Sequence, residues 1–249
     1  MSLLVLDDIK VHFGGVRAVD GISFAVEPGQ LCGMVGPNGS GKTTTINAIT
    51  RTTQLSAGRI TFDGNDTAGL SPYRLRRIGL VRTFQGIRLV PDLTVRDNIR
   101  LAAEQHGRMG KRAPKGQKGS TDSISDALIE RFGLREVQNE RPAALPYGTQ
   151  RRVEIVRALS TNPKLLLLDE PVAGMNHAER SDIANILREL HTEGMSMLVI
   201  EHDLRLLLTL SDKLIVLNFG KLLAEGEPRA TASLPEVQQA YLGGTRDRA

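Results

Sequence analysis

The sequence predicts an α/β fold: a doubly wound, largely parallel sheet, extended by antiparallel strands near the N-terminus and carrying a helical insertion over roughly residues 86–160. Three observations predict it. Leu31–Val35, "LLLLD" (165–169) and "MSMLVI" (195–200) are apolar without alternation, the pattern of strands covered on both faces. Helical stretches lie between them, as crossovers between parallel strands require. Near the N-terminus, "IKVHF" (9–13) instead alternates like a half-buried strand, and "AGRITFDG" (57–64) is a strand bounded by glycines.

In chain order, "IKVHF" comes first. A turn at Pro28-Gly29 leads into Leu31–Val35, and a helix begins near Lys42. The strand within 57–64 follows. Residues 71–79 and 92–105 read as helices, with Pro72 near a start, where its missing N–H costs nothing. Residues 107–120 read as a Gly/Lys-rich loop. The pattern over 121–160 is helical, with an apolar stripe Val153, Val156, Leu159 that stops at Asn162-Pro163. A helix over 177–193 ends before Gly194, and 212–226 reads as a hairpin. No internal repeat is visible, and the 249 residues are read as one domain, 1–249.

Hydrophobic residues at 40% and charged residues at 24% describe an ordinary globular chain. No apolar run approaches the ~18 residues of a membrane span. "MSLLVLDDIKVHF" lacks the basic-then-apolar pattern of a secretion signal. The one cysteine, Cys32, excludes an intrachain disulfide and reads as a small core residue. These features favour the cytoplasm, with any membrane role arising through a partner. Net charge is +4, yet Arg108, Lys111, Arg112, Lys115 and Lys118 all fall within 107–120, which has no acid. The basicity is local rather than a face of the fold, so nucleic acid is not an expected partner.

"GPNGSGKT" (36–43) fits G-x-x-x-x-G-K-[ST] between an apolar strand and a helix. Gly36, Gly39 and Gly41 allow tight turns and close approach to an anion. Successive N–H groups and the helix N-terminus then cradle phosphate oxygens. Lys42 brings an ammonium to the β- and γ-phosphates, and Thr43 a hydroxyl to Mg²⁺. Asp169, last on its buried strand, is placed to orient Mg²⁺. Glu170 follows it and suits a base for attacking water.

With "RTFQG", "LPYGT", "GMN" and "IEHD" following in order, nearly the whole chain resembles the nucleotide-binding subunits of ABC transporters. That implies a P-loop NTPase core with an N-terminal antiparallel β subdomain and an inserted helical subdomain. The wording of "FGGVRAVDGISF", "RTFQGIRLVPDLTVRDNI", "EPVAGMN", "IEHDLRLLLTLSDKLIVLNFGKLLAEG" and "AYLGG" is similar to the ATPases of branched-chain amino-acid importers. Urea, amide or lipopolysaccharide systems are related alternatives. A soluble, non-transport ABC ATPase is the competing class, and a simple P-loop kinase leaves "LPYGT" and "EHD" without a role.

The resemblance implies further roles. Catalysis would fall to Glu170, His202 at the γ-phosphate, and Gln85. Nucleotide would contact Phe13, stacked on adenine, with Val19, Gly36, Pro37, Asn38, Gly39, Ser40, Gly41, Lys42, Thr43 and Thr44. Thr43, Gln85 and Asp169 would serve Mg²⁺. Leu145, Pro146, Tyr147, Gly148 and Thr149 stand where the family's signature Leu-Ser-Gly-Gly-Gln opens a helix onto the ATP of a second subunit. Pro146 replaces the serine and offers neither hydroxyl nor N–H, so this signature is expected to be weakened. Implied partners are two membrane permeases, a second ATPase subunit and, indirectly, an extracytoplasmic solute-binding protein. The implied location is peripheral, on the cytoplasmic face of the membrane.

Overall fold

The computed structural model describes residues 1–109 and 121–243. Its first layer is an antiparallel sheet in the order β2-β1-β4-β5, formed by β1 (Leu4–Phe13), β2 (Val16–Val26), β4 (Ala57–Phe62) and β5 (Asn65–Asp66). Strand β3 (Leu31–Val35) and helix α1 (Lys42–Ile49) intervene in sequence. The core sheet runs β10-β9-β3-β8-β7-β6. Strands β6 (Leu80–Arg82), β7 (Leu165–Asp169), β8 (Ser196–Ile200) and β9 (Lys213–Asn218) join β3 in parallel. Edge strand β10 (Lys221–Gly226) closes antiparallel on β9.

Every residue of β3, β7 and β8 is buried, which accounts for their unbroken apolar runs. Cys32 is buried among them, and burial pushes its thiol up to about 12. Two apolar clusters result. One lies between the two sheets and takes in Leu4, Phe62, Met34 and Ile46. The other lies between the core sheet and the helices that follow β6.

Helix α2 (Pro72–Arg77) precedes β6, with Ser71 accepting from the Arg74 N–H as its cap. Between β6 and β7 stand α3 (Val95–Met109), α4 (Thr121–Arg131) and α5 (Tyr147–Leu159). Two expectations need correction here. Residues 107–109, read as the start of a basic loop, are the end of α3; the rest of that loop lies outside the described residues. Nor is 121–160 one helical run. Gly133, left-handed at φ 63, lies just past the end of α4, and a short 3-10 turn at Pro142–Ala144 precedes α5. Strand β6 was missed altogether, because three residues carry no readable period.

Beyond β7 come α6 (His177–Thr192) and, after β8, α7 (Leu204–Leu210). Asn176 caps α6 in a reciprocal capping box with Glu179. The chain then forms the β9–β10 hairpin, α8 (Pro228–Ala232) and α9 (Pro235–Gly243). Among the described residues no helix is long and apolar enough to cross a membrane.

Candidate active site

The loop from β3 to α1 wraps the C-terminal edge of the core sheet, where ligands of open α/β sheets bind. Gly36 is dictated by close approach: a Cβ there would stand 2.2 Å from the Leu217 carbonyl oxygen and 2.5 Å from Ser40 Oγ. Gly41 caps α1 in a left-handed conformation with no side-chain cap. The helix N-terminus therefore keeps N–H groups for an anion. Ser40 Oγ is buried and has no hydrogen-bond partner, a polar atom in search of one.

This loop lines a cavity of about 720 Å³ together with Phe13, Val16, Arg17, Ala18, Gln85, Glu170, His202 and Phe219. Lys42 is largely buried, and its ammonium donates to the Gly36 and Pro37 carbonyls at 2.7 and 3.0 Å. Burial lowers its pKa, while Glu170 and Asp169 work against that. The cation is thus stored on its own loop, within a lysine's reach of an incoming phosphate.

Glu170 is gripped from two sides. Gln85 Nε2 donates to one carboxylate oxygen at 2.8 Å, and His202 Nε2 approaches the other at 2.6 Å. Its backbone is left-handed at φ 50, a costly conformation for a non-glycine residue and one that gathers at functional sites. Behind it, Glu201 is buried and accepts the N–H groups of Val172 and His202. Burial raises the Glu201 pKa to about 7, against the pull of those two N–H groups. One buried carboxyl thereby joins the chain after Glu170 to His202.

The expected residues do not all reach the cavity. Val19 is wholly buried and lies behind Gly41, outside the cavity lining. Gly36 and Pro37 act through their carbonyls on Lys42. Asp169 is buried one layer back, with Oδ2 paired to Arg82 Nη2 at 2.7 Å. Arg82 also donates to Asn47 at 2.7 Å, so a guanidinium ties α1, β6 and β7 together. Thr43 and Gln85 do line the cavity. These are hard oxygen donors of the kind Mg²⁺ takes beside water and phosphate oxygens. Among the described residues no group of three or more His, Cys, Asp or Glu side chains is arranged to hold a metal ion by itself. The donor set therefore fits an ion held partly by a bound phosphate chain.

Residues 145–149 do not line this cavity. Leu145 is buried in the core, and Pro146 caps α5 with no side-chain hydrogen bond. Glu179 accepts from the Gly148 N–H at 3.3 Å. Sequence reading missed the anchor beneath this helix. Arg151 is fully buried, pairs with Glu154 at 2.7 Å, and donates to the Phe84 and Gln85 carbonyls. Glu154 in turn accepts from the Arg88 N–H. A signal was available: Arg151 and Glu154 are three apart, a spacing that puts them on one helix face.

A nucleotide-binding ATPase cassette is what this sheet edge, phosphate loop and carboxylate define. The sequence pattern of the ABC transporter family matches residues 19–173, and the chain belongs to that family. The high-affinity branched-chain amino acid transport ATP-binding protein BraF of Pseudomonas aeruginosa is 37% identical over 97% of this chain and 98% of its own length. An ATP-binding cassette of an ABC transporter in its ADP conformation superposes with a TM-score of 0.83 at 34% identity, over 98% of this chain and 99% of that one. A dimeric cassette in a post-hydrolysis state, bound to ADP and Pi, superposes with a TM-score of 0.77 at 25% identity, over 91% and 99% of the two chains.

Proposed function

We propose that this chain is the ATP-hydrolysing subunit of an ABC importer for branched-chain amino acids, peripheral on the cytoplasmic face of the membrane. The observation that carries the chemistry is the convergence of the phosphate loop, Gln85, Glu170 and His202 on one cavity. The solute is carried over from relatives such as BraF.

In this reading the β- and γ-phosphates settle on the N–H groups at the start of α1. Lys42 leaves the Gly36 and Pro37 carbonyls for their oxygens. Thr43, Gln85 and Asp169 would hold Mg²⁺, which would supply positive charge for the phosphate oxygens. Glu170 orients the attacking water and takes up its proton; His202 and Gln85 fix that carboxylate. Glu201 keeps His202 in register with the turn after Glu170.

The signature helix α5 serves the ATP of a second subunit, which agrees with its absence from this chain's own cavity. Arg151 couples α5 to Gln85. A cleft of about 430 Å³ borders the same segment, lined by Tyr73, Val81, Arg82, Phe84, Leu101 and Arg157 among others. In this reading a permease segment sits in that cleft and bears on Gln85 through its neighbour Phe84. Permeases, a paired ATPase and an outer solute-binding protein complete the assembly.

The test is Lys42→Ala in the assembled transporter. Loss of ATPase activity and of uptake is expected; unchanged ATPase activity refutes the proposal.

A further inference from the structure

Phe219, on the cavity wall, takes no part in the proposed hydrolysis. It is 85% exposed, the most exposed large apolar side chain after Met1 among the described residues. It occupies the two-residue turn between Asn218 and Lys221, which pair across β9 and β10. Phe219 and Gly220 have φ of 45° and 75°, the type I′ pattern that favours Asn-Gly and resists a bulky first residue. An aromatic ring is thus held in solvent, in a conformation it disfavours, where asparagine would be easier.

The turn is also clamped in place. Gly220 N–H donates to the Ser40 carbonyl of the phosphate loop at 3.0 Å, and its own carbonyl accepts from Asp20 N–H at 2.7 Å. A Cβ on Gly220 would meet the Ala18 and Arg17 carbonyl oxygens at 2.9 and 3.0 Å. The hairpin tip is therefore pinned between the phosphate loop and β2. Phe219 lines the same cavity as Phe13, itself 54% exposed. Strain and exposure kept at a fixed point of a ligand cavity call for a ligand contact.

From this juxtaposition we infer that Phe219 is a second aromatic contact for the nucleobase, stacking with it alongside Phe13. The inference rests on the reading that the cavity takes ATP. Stacking on an aromatic side chain needs only the base's π-face, so it adds affinity for nucleotides over bare phosphates.

The chain contains no tryptophan, so Phe219→Trp places a single indole at the site. Its fluorescence is expected to change saturably with ATP and ADP, and not with inorganic tripolyphosphate, which fills the phosphate loop alone. By calorimetry, Phe219→Ala is expected to raise the ATP Kd about fivefold or more and leave the tripolyphosphate Kd unchanged. Phe219→Asn separates the base contact from the fold: the thermal midpoint should rise as turn strain is relieved, while ATP binding weakens. The inference is overturned if Phe219→Ala binds ATP with the wild-type Kd, or if it loses ATP and tripolyphosphate equally, which marks a purely structural role. Wild-type protein that binds neither ligand overturns the nucleotide reading itself, and this inference with it.

Discussion

Asp169 and Glu170 are neighbours in sequence, yet their surroundings give them different work. Asp169 is buried and paired with Arg82, whereas Glu170 faces the cavity between Gln85 and His202. Removing one partner of a buried pair leaves an uncompensated charge, at a cost of roughly 3–5 kcal/mol. Arg82→Met is therefore expected to lower unfolding stability by about that much, seen as a fall in the urea midpoint; a change below about 1 kcal/mol would mean that the pair is not desolvated as described. Glu201 gives a pH prediction. Its folded pKa, about 7, stands above the ordinary 4.5. Below pH 4.5 folded and unfolded chains are both protonated there, so nothing is lost. Between 4.5 and 7 the unfolded chain releases the proton first, so stability falls as pH rises, by on the order of 3 kcal/mol in all, and is then level. Glu201→Gln should flatten that part of the stability–pH curve in urea titrations. An unchanged slope would assign the effect elsewhere.

At the scale of the element, α5 begins on Pro146 and is anchored by Arg151. A serine at the cap position supplies an acceptor for the first-turn N–H groups, typically worth about 1 kcal/mol to a helix. It would also give the second subunit's ATP a hydroxyl. Pro146→Ser should therefore raise both the thermal midpoint and the turnover of the assembled complex; equal or lower turnover rejects the view of a weakened signature. Legibility from sequence divides at this scale. Residues 36–43 and 169–170 were readable because each works through contiguous backbone and a flanking apolar strand. Arg82 with Asp169, Arg151 with the Gln85 carbonyl, and Glu201 with Val172 join positions 29 to 87 residues apart, and nothing local marks them. Phe219 was missed because a hairpin reads as a turn, whereas its meaning comes from what the turn is clamped against. Strand β6 owes its existence to pairing with β7 rather than to its own three residues.

At the scale of the whole molecule, the antiparallel sheet places Phe13, the core sheet places the phosphate loop and Glu170, and residues 145–149 at the start of α5 lie outside this cavity. In the proposed reading, a cassette built this way holds ATP with its own groups and takes a second subunit to complete the site. ATP-driven association reads out that requirement. With Glu170→Gln, hydrolysis stops while binding remains, so closed dimers should accumulate. Light scattering with MgATP, on the variant alone and with its partner ATPase, is expected to show the mass doubling with ATP and remaining monomeric with ADP. A mass that stays monomeric with ATP in both settings would mean that ATP does not bring two cassettes together.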